Sequence, residues 1–554
     1  MTSRPSGPAI PSQTWPGSSK WLAPLLVAIF LIAAACRENR NHPIEFWNDG
    51  LMDYPGLSLA HALNIDFWLS ESSLLNGRRI NFDNTMHPGF PFQVTSWVGY
   101  RFANLGGGSS APRRCEDTLG NPSSYWLATR LLAIGISVVC AILYTRAASR
   151  YGLAYAVAAG LSYFCYEEGW DYSIRLLSNE TFALPLGLAV VFAASRSLSL
   201  GGGISTLAWW VVWGAVCALC WLNKLNYVAW TVAAIPAWGF YYFFRRPLAW
   251  KMGMQIMAFV AGFIATACLL ARLLLGVGGL PKILRLHRDV ITHSGHFGGG
   301  SSEVVSNQAV WMALHSLLAF WPFLILAGAI YLLSTWILSS LVKSGKAATG
   351  NAALISYLLC AASLFFAAVL KHYGPHYLVA GVPAVSLLLL IVGGYLSPKV
   401  RLGISVVVGA VLMSSYLGYS ATSEKRYRHE VEVKHGLQRL ESLPRQPGDA
   451  VLWTYRVPVR HFCMELLQSY AGVPEVSEVM LKKFPSPDLS LYSWDRNVRV
   501  QSELIPLEQA KWRYTVFDKA WFPEYPAETR EFFERQCVRI VDESSVWIFE
   551  RKSP

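Results

Sequence analysis

Charge is scarce in this chain. Of its 554 residues only 15% are Asp, Glu, Lys or Arg, where soluble globular proteins carry about 25%, so an ordinary water-soluble fold is excluded. Disorder is excluded as well, because 53% of the residues are hydrophobic and 13% aromatic. Nucleotide-binding glycine signatures are missing. Gly106–Gly108 and Gly298–Gly300, each followed by two serines, neither follow a strand nor open a helix with Lys-Ser/Thr, and they read as flexible loops. The ten cysteines lack a metal-ligand spacing; Cys217 and Cys220 lie one turn apart inside an apolar run, where core packing explains them. The excess of 12 positive charges does not point to nucleic acid, because the basic residues fall between apolar runs or in the C-terminal tract.

What is present is a series of apolar runs, each near the roughly 20 residues a helix needs to cross a bilayer. Windowed hydropathy predicts about eleven transmembrane helices, at 21–36, 125–144, 154–165, 182–194, 204–221, 227–244, 252–275, 310–341, 352–370, 377–396 and 402–417. Arg146, Arg150, Arg196, Arg245, Arg246, Lys251, Lys343, Lys346, Lys399 and Arg401 follow the even-numbered spans. The positive-inside rule then makes the N-terminus cytoplasmic, and an odd number of spans puts the C-terminal domain outside. The expected organisation is a disordered cytoplasmic tail (1–20), a helical polytopic membrane domain (21–420) and a small extracytoplasmic α/β domain (421–554). Within the last, 424–441 reads as a helix, 450–459 and 513–517 as strands, and 538–541 with 546–550 as a hairpin. In such an oxidising compartment Cys463 could pair with Cys537, and Cys36 with Cys115. The expected location is a bacterial inner membrane.

Ionisable residues near a bilayer carry a functional hypothesis by default, and here they gather on the outer side. The first outer loop (37–124) holds Asp49 and Asp53 one turn apart. Leu59, Leu63 and Phe67 then recur at helical spacing, suiting a helix that lies in the interface. A second such segment follows His87-Pro88-Gly89-Phe90-Pro91. Glu167 and Glu168 read as solvated loop residues, and Arg175 and Glu180 flank the entry to the fourth span. Lys224 ends the fifth, His293 and His296 lie in the third outer loop, and Lys371 and His376 precede the tenth. The loop histidines lack a zinc-helix spacing, though a phosphate or divalent ion could face His293 and His296.

The order of these features resembles the GT-C superfamily of integral-membrane glycosyltransferases. It is most similar to the branch holding protein O-mannosyltransferases, the lipid A aminoarabinose transferase and rhizobial galacturonosyl transferases. Arg175 through Glu180 is similar to that branch's Arg-x-x-x-x-Asp/Glu entry to the fourth helix. Trp221-Leu222-Asn223-Lys224 is similar to its Leu-Thr-Lys helix ending, and His376-Tyr377-Leu378 through Pro383 to its Arg-Tyr-Leu-x-x-x-x-Pro. Three positions depart: Gly50 follows Asp49 where the family has Glu, Pro88-Gly89 replaces Pro-Pro, and His376 replaces Arg. Gly169-Trp170-Asp171-Tyr172 echoes an oligosaccharyltransferase motif, but it lies between two spans and reads as coincidence.

The resemblance implies transfer of a hexosyl or pentosyl group, with inversion, from a polyprenyl-phosphate donor to a hydroxyl on a glycan, lipid or protein. It matches Asp49 to the family aspartate that would deprotonate the acceptor hydroxyl. Lys224 and Arg175, with Lys371 or His376, would receive the leaving phosphate. Glu180 would position Arg175 or share a divalent metal with Asp49; Asp53, His87, His293 and His296 are supporting or metal candidates. No cofactor is required, a divalent metal is left open, and the partners are the donor, the acceptor and membrane lipids. The competing reading is a multi-span transporter or flippase of a lipid-linked or anionic substrate. No internal repeat is visible, and the charges sit at helix ends rather than at mid-span.

Overall fold

The computed structural model describes residues 20–43, 53–70, 89–108, 110–199, 204–245, 248–275, 279–292, 307–345, 350–371, 375–446, 449–454, 457, 474–483, 489–491, 496–500 and 503–552. Nine helices among them are long and apolar enough to cross a membrane, and the chain is an integral membrane protein. Eleven runs were expected; all but two match these helices. Leu153–Cys165 is apolar but short. The stretch after Lys224 is broken into turns at Leu225–Val228 and Ala229–Val232 before a helix at Ala234–Arg245. Pro236 explains that break, because its ring would clash with the Val232 carbonyl four residues back. Pro322 acts in the same way on the run at 310–341, which divides after Leu318 into Asn307–Leu318 and Trp321–Lys343.

In chain order the bundle begins with α1 (Leu22–Asn41), followed by α2 (Asp53–Ser70), α3 (Phe90–Ala103) and α4 (Ala111–Gly120) of the first long loop. Next come α5 (Pro122–Ala148), α6 (Leu153–Leu161), the short α7 (Glu168–Ile174), α8 (Ala183–Ser199) and α9 (Ile204–Asn223). After α10 (Ala234–Arg245) and α11 (Ala249–Leu275) come α12 (Gly279–Thr292), α13 (Asn307–Leu318), α14 (Trp321–Lys343) and α15 (Gly350–Lys371). The bundle ends with α16 (Val382–Val392) and α17 (Pro398–Ser442). Ser397 caps α17, its hydroxyl accepting from the Val400 amide, and Pro398 fits the first turn.

Residues 57 to 67 of α2 are buried nearly all round, so the helix is enclosed by its neighbours where an interfacial helix would leave one face open. Its polar anchor is Asp66, which accepts from Arg114 Nε at 2.9 Å and Nη2 at 2.7 Å, and from Arg101 Nη1 at 3.2 Å. Asp66 thereby ties α2 to α3 and α4, and such a buried carboxylate needs these partners to be tolerated.

α17 is the longest element. At 45 residues and 1.5 Å per residue it extends about 68 Å, well over twice the roughly 30 Å hydrocarbon thickness. The last apolar run and the predicted helix at 424–441 are therefore one continuous rod. Tyr416 on it donates to Glu38 of α1 at 3.0 Å, and Thr422 donates to Glu167 at 2.9 Å. Further along, Val433 and Leu440 enter an apolar core with Val451, Tyr514, Val516 and Ile548 of a seven-stranded sheet.

The strands are β1 (Val451–Thr454), β2 (Leu489–Leu491), β3 (Asn497–Val500), β4 (Glu503–Pro506), β5 (Tyr514–Asp518), β6 (Cys537–Asp542) and β7 (Val546–Arg551). They lie in the order β4-β3-β2-β1-β5-β7-β6, with β1 parallel to β2 and β5 and the other pairs antiparallel. The predicted hairpin is β6–β7. A helix at Pro474–Lys483 reaches back to the membrane domain, where Lys483 donates to the Glu116 carbonyl at 2.6 Å and Val476 and Met480 join the main core. At the far end of the bundle Ser149 donates to the Lys20 carbonyl, Arg146 covers the Trp21 ring, and Arg401 donates to Tyr151. Cys36 and Cys115 are unbonded, and Cys463 lies outside the described residues.

Helices α9 and α11 approach closely at glycines. A methyl group on Gly214 would sit 2.0 Å from the Phe259 carbonyl oxygen, and one on Gly262 2.1 Å from that of Val211. Small residues let membrane helices meet in this way. Gly262→Ala should destabilise the protein by about 1–3 kcal/mol and lower its unfolding temperature in detergent. Gly239→Ala, where a methyl meets nothing within 4 Å, should leave it unchanged; equal effects would contradict this packing.

Candidate functional site

Three short 3-10 turns meet at the sheet end of the bundle: Glu180–Phe182 before α8, Leu225–Val228 after α9, and Pro375–Ala380 before α16. Each arises where an apolar run begins or stops at polar residues. At their junction the Lys224 ammonium bonds Glu180 directly, and both side chains are buried. Ser178 donates to the other Glu180 oxygen at 3.0 Å and accepts from the Glu180 amide at 3.1 Å. Asn223 Nδ2 donates to the Asn179 carbonyl at 2.9 Å, and Tyr227 donates to the same oxygen at 3.3 Å. Lys224 Nζ also lies 4.5 Å from the centre of the Tyr377 ring, whose backbone carbonyl accepts from Asn226 at 3.1 Å. The His376 ring lies tilted against that of Tyr377, 4.1 Å between centres, and is near enough to Glu180 to act on its charge. The start of α3 closes one side, packing against both the Glu180 turn and α9.

A second cluster lies where α7 meets α17. Asp171 accepts from Arg426 at 2.5 Å and faces Arg175 at 3.9 Å, and Arg175 donates to Ser423 at 2.5 Å. Burial alone would raise the Asp171 carboxyl, but the guanidiniums of Arg426 and Arg175 outweigh it and hold the group below its ordinary range. The half-buried Glu168 behaves in the opposite way. Burial, then the nearby Asp171, push its carboxyl up to about 7, with Glu167 and Glu180 adding to the effect against Arg426. It is thus a carboxyl poised to exchange a proton near neutrality. His287 of α12 packs its ring on Trp221 at 5.2 Å, and burial lowers it to about 4.

Of the residues singled out in the sequence, Lys224, Glu180 and His376 come together. Arg175 does not join them, because it is turned toward Asp171 and α17, and Glu180 is held by Lys224 and Ser178. Glu167 and Glu168 are half-buried members of a charged cluster, whereas loop residues in solvent were expected. Asp49, His87, His293 and His296 lie outside the described residues, and Asp53 and Lys371 mark helix ends without described side chains. Among the described residues no three His, Cys, Asp or Glu side chains assemble as a metal site. Sequence reasoning missed Asp66, hidden in an apolar helix, and Arg426, which belongs to the site only because α17 continues unbroken out of the bundle.

No protein-family model matches the sequence, nor does any curated protein. Solved structures do match in shape. The oligosaccharyltransferase of Archaeoglobus fulgidus, in complex with zinc and sulfate, aligns with a TM-score of 0.50 and 13% identity, over 93% of this chain and 71% of its own. ArnT from Cupriavidus metallidurans, bound to undecaprenyl phosphate, aligns with a TM-score of 0.43 and 13% identity, over 95% and 98% of the two chains. What is shared with the oligosaccharyltransferase is the fold.

Two outcomes test this site. Lys224→Met leaves the Glu180 carboxylate buried without its counter-ion and should destabilise the protein by about 3–5 kcal/mol; adding Glu180→Gln should restore part of that loss in thermal unfolding. For Glu168, the unfolded chain ionises near the ordinary 4.5 while the folded carboxyl keeps its proton to about 7. Its contribution to stability is complete at low pH and falls as pH rises through that window. Glu168→Gln should therefore gain stability relative to wild type at pH 8 compared with pH 4, and an equal difference at both would refute the assignment.

Proposed function

We propose that the chain is a membrane glycosyltransferase that moves a sugar from a polyprenyl-phosphate donor to a hydroxyl acceptor at the extracytoplasmic face. The observation that carries this reading is the buried Lys224–Glu180 pair, set on three turns at the end of a GT-C-like bundle. A lysine is tolerated there because Glu180 and the Tyr377 ring compensate it. An ammonium group has three N–H bonds. One meets Glu180, which leaves capacity for the oxygens of a phosphate arriving from the membrane surface. The arrangement of basic residues around Lys20, Arg146 and Arg401 at the opposite end supports a cytoplasmic N-terminus.

In the reaction the acceptor hydroxyl attacks the anomeric carbon, the bond to the phosphate oxygen breaks, and the configuration inverts. Lys224, assisted by His376 and Lys371, stabilises the departing phosphate, which needs no proton of its own. Asp49 takes the hydroxyl proton, and Glu168 is the described carboxyl whose affinity for a proton suits relaying it onward. Glu180 acts through Lys224 as a positioning residue. Arg175 holds α7 against α17 and is not assigned to the phosphate. A divalent ion at Glu180 would have to compete with Lys224 for the carboxylate, and the scheme does not require one.

Deletion of the gene, followed by mass-spectrometric profiling of envelope glycans and lipids, tests the reading. A glycan should disappear and return with the wild-type gene. Lys224→Ala should lower turnover about 100-fold or more, as loss of an oxyanion-stabilising group does, and Asp49→Asn should not restore the product. Restoration by Asp49→Asn would remove Asp49 from the mechanism, and an unchanged profile would favour transport.

A further inference from the structure

Three asparagines lie beside the Lys224–Glu180 pair in sequence, one before the Glu180 turn and two flanking Lys224. Asn179 immediately precedes the Glu180 turn, Asn223 ends α9, and Asn226 lies in the next turn. Their side-chain oxygens are buried and have no hydrogen-bond partner. For two of them the orientation is determined by the backbone. Asn223 Nδ2 donates to the Asn179 carbonyl and Asn226 Nδ2 to the Tyr377 carbonyl, so the amide oxygen of each is the atom left over. Asn223 is fully buried and Asn179 is 4% exposed. Buried acceptors are nearly always satisfied in native proteins, and unsatisfied ones call for an explanation.

Resting on the transferase reading above, we propose that Asn179, Asn223 and Asn226 form a hydroxyl-binding subsite that holds the sugar of the donor beside the Lys224-bound phosphate. The chemistry selects the ligand. Amide oxygens accept hydrogen bonds only, so they repel the phosphate itself. A cation would have to compete with Lys224 for Glu180, which the lysine already neutralises. Neutral hydroxyl groups remain, and several on one ring match acceptors drawn from adjacent turns. All three oxygens are closed to solvent, so the subsite fills only as the turns part, with the half-buried Asn226 at its lip. A site whose acceptors stay unpaired without the sugar discriminates strongly against a donor lacking it.

The test compares two kinds of lipid of equal charge binding to the full-length protein in nanodiscs. One is undecaprenyl methyl phosphate, which lacks a sugar; the other is a panel of undecaprenyl phosphates esterified with glucose, mannose, galactose or arabinose. Wild type should prefer at least one sugar ester by about tenfold or more. Asn226→Ala and Asn223→Ala should each abolish most of that preference while leaving affinity for the methyl ester within about twofold. If Asn223→Ala does not fold, Asn226→Ala and Asn179→Ala decide. Variants that keep the preference, or that weaken both lipids alike, overturn the subsite and make the asparagines structural. Wild type that binds the methyl ester but prefers no sugar also overturns the subsite alone, whereas wild type that binds neither lipid overturns the transferase reading itself.

Discussion

A lysine and a glutamate buried together at the end of a membrane bundle constrain everything around them. Either charge alone would be costly in that setting, and the two together are tolerated only while their geometry is held. The surrounding architecture supplies the holding. Glu180 is placed by a turn that Ser178 braces from both sides, and Lys224 by the break that ends α9. Tyr377 enters from a third turn so that its ring covers the ammonium. Each of the three turns leads into or out of a membrane helix, so helix packing and site geometry are coupled. α9, whose end carries Asn223 and Lys224, is itself held close to α11 at Gly214 and Gly262.

The second charged cluster does different work. Asp171 joins α7 to the outward half of α17 through Arg426, with Arg175 and Ser423 completing the contact. The same rod then carries His429 to Asp518 at 2.7 Å, Glu432 to Ser545 at 2.5 Å and Arg439 to Glu543 at 3.1 Å. The sheet is thus seated on the membrane domain by one continuous helix and by the separate contact of Lys483 with Glu116. Exposed ion pairs contribute little to stability individually. Here the apolar core that Val433 and Leu440 share with the strands bears the load, and the polar contacts set the orientation.

Much of the membrane architecture was legible in the sequence because hydrocarbon imposes a simple rule, about 20 apolar residues bounded by polar ones. That rule also exposed Lys224, Glu180 and His376, which interrupt or bound apolar runs. It fails where averaging hides a local event. Pro236 and Pro322 divide runs that hydropathy treats as continuous, and each division follows from the carbonyl four residues before the proline. Asp66 was invisible for the opposite reason, since a single carboxylate does little to the mean of an apolar helix while its arginine partners lie 35 and 48 residues away. Arg175 was paired with Glu180 by proximity in sequence. The length of α17 decided otherwise, because it brings Ser423 and Arg426 to a loop some 250 residues earlier.

The position of Glu168 links the two clusters. It borders Asp171 and Arg426 on one side and acts on Glu180 on the other, so its charge bears on both. Were it ionised throughout the neutral range, it would add a negative charge beside a carboxylate already matched by Lys224 and so disfavour a phosphate there. Its raised proton affinity avoids that conflict while the site is empty. An anion arriving at Lys224 would raise that affinity further, since like charges disfavour the ionised form. Proton uptake at Glu168 and the arrival of an anion at Lys224 would therefore reinforce each other.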